Sequence, residues 1–146
     1  MKYYLAYGSN LNMKQMQQRC PDAVPISSAV ILDYQLLFRR GVATIEPMKG
    51  ASVPVGIWKI SEKDEWALDR YEGYPWLYTK KDFPLRLHGK KITAMAYIMT
   101  PGNPITPPRY GYLETIMKGY EDFGFDAGTL VEAAKESERR QENDIS

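Results

Sequence analysis

One acidic residue, Glu72, occupies a position where a carboxylate is uncommon and could do chemistry. The sequence predicts that a helix ends beside it, at Gly73. A negative charge meets an unfavourable dipole field at a helix C-terminus, where lysine or arginine is favoured. Burial among Tyr71, Tyr74 and Trp76 would raise the pKa of the acidic group, which suits a general base working near neutral pH. The alternative is a surface glutamate at a frayed helix end.

A second candidate is the short loop Tyr7-Gly8-Ser9-Asn10, which Leu11 follows. A predicted strand runs into Gly8, and Ser9 or Asn10 then caps a predicted helix. Such a turn presents backbone N–H groups that can bind a carboxylate or a developing oxyanion. The glycine allows the backbone to approach a ligand closely. The alternative is an ordinary strand–helix turn with a polar cap.

Tyrosines form a third group of candidates. The chain has 11 of them, and Tyr78, Tyr97 and Tyr110 fall in or near the later predicted strands and the loop after them. A phenol can hold a substrate carboxylate or amine inside an apolar wall. The alternative for each one is aromatic packing on a sheet.

Most other catalytic chemistries lack the residues that they need. His88 is the only histidine and lies at a predicted hairpin tip, so a Ser-His-Asp or Cys-His system is not supported. Zinc sites need several His or Cys ligands, and one histidine with one cysteine is too few. No Gly-rich phosphate-binding motif occurs in the sequence. Cys20 is the only cysteine, which excludes an intrachain disulfide and favours a reducing compartment, the cytoplasm. Carboxylate acid/base chemistry assisted by backbone amides remains, with no metal or organic cofactor expected.

Length and composition predict one domain over residues 1–146. Hydrophobic residues make up 44% of the chain, which is enough for a core. The formal net charge of +1 argues against a nucleic-acid or membrane-surface partner, since such binders show a basic excess. No apolar run approaches the roughly 20 residues that a membrane-spanning helix requires.

The pattern of apolar residues, turns and caps predicts strands first, one inserted helix, more strands and then helices. Predicted strands cover 2–7, 29–38, 42–46, 53–60, 76–87 and 91–99, and predicted helices cover about 12–19, from a capping box at Ser61 to about Tyr71, 110–122 and 127–140. This order is typical of an α+β fold. At least six strands in so short a chain favour a small mixed β-barrel or a strongly curled sheet with flanking helices. The helix after about residue 126 is expected to be peripheral, and its role is open.

Together these segments resemble the γ-glutamylcyclotransferase-like (AIG2-like) family over roughly residues 3–125. The opening strand and loop of that family are similar to YYLAYGSNL at 3–11, and the helix end that carries its catalytic glutamate is similar to LDRYEG at 68–73. Its middle strands, later strand and tyrosine segment are similar to GVATI at 41–45, VGIWKI at 55–60, ITAMAYIM at 92–99 and PPRY at 107–110.

The resemblance implies a small barrel with flanking helices and a cavity beside the first strand. Known members release 5-oxoproline from γ-glutamyl compounds, which implies a small-molecule γ-glutamyl substrate and no cofactor. The resemblance also implies that Glu72 is the general acid/base of this reaction. The residues that it implies for substrate binding are Tyr7, Gly8, Ser9, Asn10, Leu11, Tyr78, Tyr97 and Tyr110.

Two other functions stay open at this point. One is removal of a γ-glutamyl protecting group from a larger metabolite, which would use the same residues. The other is a catalytically idle binding module on the same fold. The leaving amine, the pathway and the oligomeric state do not follow from the sequence.

Overall fold

A mixed β-sheet and four helices form the regular structure of the computed structural model, which describes residues 1–145. The strands are β1 (Lys2–Ala6), β2 (Val24–Arg39), β3 (Val42–Ile60), β4 (Tyr78–Leu87) and β5 (Lys90–Met99). The helices are α1 (Met13–Arg19), α2 (Glu62–Glu72), α3 (Tyr112–Phe123) and α4 (Gly128–Ile145). A short 3-10 turn, Ser9–Leu11, lies between β1 and α1.

The sheet has the strand order β2-β3-β1-β5-β4, so β1 lies at its centre. β1 pairs antiparallel with β3 and parallel with β5. The α+β prediction is confirmed, and the sheet is open rather than closed into a barrel. It has five strands where at least six were predicted, because the segment around Gly50 continues β3. There the Gly50 N–H donates to Asp33 Oδ1 on β2 at 2.9 Å, beside a bulge in the hairpin.

The two ends of α2 follow from local sequence signals. Ser61 Oγ accepts from the Asp64 N–H, and Asp64 Oδ2 accepts from the Ser61 N–H, both at 3.1 Å, which is the predicted capping box. Gly73 ends the helix in the left-handed conformation at φ 66°, which glycine adopts without strain. The predicted C-terminus is therefore confirmed, and Glu72 is the last helical residue.

Helix α1 begins with a different cap from the one predicted. Asn12 Oδ1 accepts from the Gln15 N–H at 3.0 Å, so Asn12 caps the helix and Ser9 or Asn10 does not. The prediction was wrong because residues 9–11 form their own 3-10 turn first. That extra turn leaves the Ser9 and Asn10 side chains for other contacts.

Helix α3 packs directly against the end of this turn. A Cβ built on Gly119 would lie 2.6 Å from the backbone carbon of Leu11 and 2.6 Å from the backbone nitrogen of Asn12. Asn12 Nδ2 also donates to the Thr115 carbonyl at 3.2 Å. The absence of a side chain at residue 119 therefore lets α3 hold the loop in place.

Helix α4, expected to be peripheral, contributes to the core along β2. Leu130 and Ala133 are buried, and the buried Ser137 hydroxyl accepts from the Phe38 N–H at 3.0 Å. α4 is 18 residues long, and neither it nor another helix within residues 1–145 has the length and apolar character needed to cross a membrane.

Candidate active site

The loop after β1 and the end of α2 meet in space, although more than sixty residues separate them in sequence. Asn10 Nδ2 lies 3.3 Å from Glu72 Oε1 and donates to it. One residue away on each side, the Ser9 and Tyr71 hydroxyls form a 3.0 Å hydrogen bond. The structure therefore places the predicted acid and the predicted loop at one site.

A small pocket lies at this meeting point. It contains about 270 Å³ of space between atoms, including its open mouth. Glu72 is partly exposed as a residue, but its carboxyl group is buried at the pocket. The lining residues come from the loop, the sheet, α2 and the start of α3: Tyr4, Tyr7, Gly8, Ser9, Asn10, Ala43, Glu72, Tyr78, Tyr97 and Tyr112.

Three of the pocket tyrosines donate their hydroxyl protons to protein acceptors. Tyr7 donates to the Tyr97 carbonyl at 2.5 Å, and Tyr78 donates to the Ala43 carbonyl. Tyr97 donates to Asp69 Oδ1 at 2.6 Å. The direction of each bond is fixed, because a carbonyl or carboxylate oxygen has no proton to give. The lone pairs that remain on these phenol oxygens are acceptors, which suit an ammonium group.

Two other pocket tyrosines accept hydrogen bonds from amide groups, and their own hydroxyl protons are not used in these bonds. Tyr4 accepts from Asn10 Nδ2 at 2.8 Å, and Tyr112 accepts from the Ala43 N–H at 3.3 Å. Each phenol can therefore still donate to another acceptor. The backbone N–H groups of Ser9 and Asn10 precede the first bond of the 3-10 turn, from Leu11 to the Gly8 carbonyl. This side of the pocket therefore has donors, which suit a carbonyl or carboxylate oxygen.

Burial controls the electrostatics of the site. It raises the pKa of Glu72 to about 7, and the Arg19 guanidinium partly opposes this shift. Burial also raises the pKa values of Tyr4 and Tyr7 well above their usual range, so these phenols stay neutral at physiological pH. Glu72 is thus a titratable carboxyl group poised near neutrality among neutral hydroxyls.

Two of the predicted binding residues lie elsewhere. Tyr110 is fully exposed, because Gly111 at φ 80° begins α3 after it and Tyr112 takes the pocket position instead. Leu11 is completely buried and packs beneath the loop against Gly119, so it does not line the pocket. Neither side chain lines the pocket, and their assigned roles in substrate binding stay predictions. The glycine at position 111 was the feature of the sequence that could have predicted the turn after Tyr110.

The aromatic residues that bury the Glu72 carboxyl group also differ from those predicted. Tyr71, Tyr74 and Trp76 are exposed rather than packed over the acid. The burial comes instead from pocket tyrosines of the sheet and α3, including Tyr4, which the sequence reasoning missed. Tyr4 alternates with its neighbours on β1, and period-two alternation alone does not say which face meets a distant acid.

No metal-ligand cluster accompanies this pocket. Within the described residues 1–145, no group of three or more His, Cys, Asp or Glu side chains could hold a metal ion. His88 is exposed at the β4–β5 hairpin tip, as predicted. The groups that can act here are therefore one carboxyl group, phenols and backbone amides.

Comparisons with known proteins agree on one family. The family model described as gamma-glutamyl cyclotransferase, AIG2-like, matches residues 4–118. A gamma-glutamylcyclotransferase of Bos taurus is 31% identical over 134 residues, covering 83% of this chain and 71% of that protein. The gamma-glutamylcyclotransferase of Homo sapiens is 30% identical with the same coverage. A solved structure named gamma-glutamyl cyclotransferase matches with a TM-score of 0.80 and 26% identity, covering 90% of this chain and 85% of that one.

Proposed function

The chain belongs to the γ-glutamyl cyclotransferase, AIG2-like family, and on that premise we propose that it releases 5-oxoproline from a γ-glutamyl amine or amino acid. The observation that carries this proposal is the buried Glu72 carboxyl group beside Asn10 of the loop, in one pocket. We assign the acid/base role to Glu72 and substrate binding to the pocket residues around it.

The distribution of donors and acceptors supports a γ-glutamyl substrate. Its α-ammonium group is a donor and fits the phenol oxygens of Tyr7, Tyr78 and Tyr97, whose own protons are committed elsewhere. Its carbonyl and carboxylate oxygens are acceptors and fit the Tyr4 and Tyr112 hydroxyls and the loop amides. In this arrangement the leaving amine would extend through the open mouth of the pocket.

The reaction needs no nucleophile from the protein. Glu72 takes a proton from the substrate α-ammonium group, and the freed amine attacks the γ-carbonyl to form the lactam C–N bond. The loop amides stabilise the oxyanion, an effect of about 3–4 kcal/mol per donor in other enzymes. The C–N bond to the leaving amine then breaks as that amine receives the proton from Glu72, and the ring nitrogen gives its second proton to the ionised Glu72, which releases it to solvent. Holding the substrate folded for this attack can be worth about 7–11 kcal/mol of the barrier.

A product assay tests the proposed function. The protein is incubated with γ-glutamyl amino acids, γ-glutamyl amines and a bulky γ-glutamyl conjugate, with α-glutamyl dipeptides as controls that lack the reactive γ-amide. We expect 5-oxoproline and the leaving amine in equal amounts from at least one γ-glutamyl donor and neither from the controls. Free glutamate as the product would indicate hydrolysis instead. Tight binding with no product from any donor would favour an idle binding module.

The pH dependence should report the titration of Glu72. Because the base must be ionised, we expect kcat/KM to rise with pH through about 7, the pKa to which burial raises this carboxyl group. Initial rates at low substrate concentration over a pH series measure this limb. An acid limb at the ordinary glutamate pKa of about 4.3 would contradict a buried general base.

The cellular compartment is part of the same proposal. Cys20 is a free, buried thiol, and burial raises its pKa to about 12. Such a thiol is protonated and unreactive at neutral pH. We place the enzyme in the cytoplasm, where a cysteine without a disulfide partner is ordinary.

A further inference from the structure

Arg19, the last residue of α1, links the loop to the end of α2. Its Nη1 donates to Asn10 Oδ1, and its Nη2 donates to Gln15 Oε1 at 3.4 Å. Its Cζ lies 3.5 Å from the centre of the Tyr71 ring, so the guanidinium stacks on the residue before Glu72. One side chain therefore contacts both segments that form the pocket.

The contact with Arg19 determines how the Asn10 amide is oriented. An arginine has only donors, so the amide oxygen of Asn10 must face it and the amide nitrogen must face away. That nitrogen then donates one hydrogen bond to the Tyr4 hydroxyl at 2.8 Å and another to Glu72 Oε1 at 3.3 Å. A flipped amide would present its oxygen to the Glu72 carboxylate, which is repulsive.

Arg19 also carries a positive charge that can act on Glu72. Within residues 1–145, it forms no ion pair with an acidic side chain. The other titratable groups that face Glu72 across the pocket are phenols, which are uncharged near neutral pH: Tyr4, Tyr7, Tyr78, Tyr97 and Tyr112. Burial raises the pKa of Glu72, and the positive charge of Arg19 lowers it in return.

We propose that Arg19 is a positioning residue for the acid/base. Its guanidinium group binds the Asn10 amide oxygen and so keeps the amide nitrogen directed at Glu72. Its positive charge keeps the carboxylate form of Glu72 available at neutral pH. The catalytic meaning of this role rests on the function proposed above, but the effect of Arg19 on Glu72 does not. Arg19 itself does not line the pocket, so it acts through Asn10 and through its field.

Replacement of Arg19 tests the two parts of this role separately. For Arg19→Met we expect the acid limb of kcat/KM to move to higher pH, with a loss about tenfold larger at about pH 6 than at about pH 9, since one unit in pKa changes the ionised fraction tenfold. For Arg19→Lys we expect the acid limb of kcat/KM to stay at the same pH while the rate falls at every pH. Lysine keeps the positive charge but lacks the planar guanidinium group that orients the Asn10 amide. Arg70→Met is the matched control, since Arg70 is exposed and stacks on Trp66 instead.

A second measurement needs no turnover and separates the failure of this proposal from that of the proposed function. The difference in unfolding free energy between wild type and Glu72→Gln changes with pH between the ordinary glutamate pKa of 4.5 and the raised Glu72 pKa of about 7. In an Arg19→Met background, we expect the midpoint of this change to move to higher pH. Arg19→Gln is a second uncharged variant should the methionine variant fail to fold. An unmoved midpoint, or an equal shift in Arg19→Lys and Arg19→Met, would overturn the proposal even for a protein without turnover.

Discussion

Replacing Glu72 by glutamine is expected to abolish release of 5-oxoproline while the fold stays intact. The glutamine amide has nearly the same shape as the carboxyl group but cannot accept the proton of the substrate ammonium or return one to the leaving amine. A positioned acid/base contributes about 10²–10⁴-fold per proton transfer, so we expect kcat to fall by roughly 10³-fold or more. Single-turnover assays with the best γ-glutamyl donor measure this, because they isolate chemistry from product release.

The same substitution should also make the protein more stable at high pH. The pKa of Glu72 is raised from 4.5 to about 7 in the folded protein. The stability contribution of this group is therefore present below pH 4.5 and is lost as the pH rises through about 7, at a cost of about 3 kcal/mol. Glu72→Gln lacks this titration, so its unfolding free energy should exceed that of wild type above neutral pH.

A matched control on the same helix is Glu62→Gln. Glu62 is exposed in the first turn of α2, so we expect wild-type turnover and a loss of stability of only a few tenths of a kcal/mol, from the helix dipole. Near-normal turnover in Glu72→Gln would remove the assigned acid/base. Loss of turnover with unfolding of the same variant would leave a structural role only.

Replacing Gly119 by alanine is expected to give the largest loss of stability of any one-carbon change near the site. The added Cβ would lie 2.6 Å from the backbone at Leu11 and Asn12, and backbone atoms cannot move aside as a flexible side chain could. Overpacking costs about 1–3 kcal/mol. Alanine gains about 1 kcal/mol of helix propensity over glycine, so a net loss would mean that the clash dominates. Urea unfolding with matched slopes measures the difference.

Turnover of the Gly119 variant should fall as well, because α3 would push the loop that carries Ser9 and Asn10. Glu121→Ala, at an exposed position of the same helix, is the control for propensity alone, and we expect it to leave both stability and turnover close to wild type. If Gly119→Ala were as stable and as active as that control, α3 would not hold the loop as tightly as the contacts indicate.

The elements that the sequence predicted best are those whose ends depend on nearby residues. The capping box at Ser61 and the glycine at 73 lie within a few residues of the groups that they satisfy, so α2 followed from local chemistry. The likeness of two distant segments to one family then indicated that the loop and Glu72 share a pocket. Their assigned roles stay predictions.

What the sequence did not reveal depends on contacts between distant residues. Tyr110 and Tyr112 differ by two positions, and only the turn at Gly111 decides which one enters the pocket. Arg19 looks like an ordinary basic residue in the last turn of a helix. Its meeting with Asn10 and Tyr71 requires α1 and α2 to be packed first. Local propensity does not contain that information.

The central position of β1 has a consequence for how the protein is made. Its backbone partners, near Ile60 and Ala94, are synthesised long after β1 itself. Until β5 has been translated, one edge of β1 stays unpaired and is open to association with other chains. The pocket can therefore assemble only late in translation, once α3 is also available to pack against the loop.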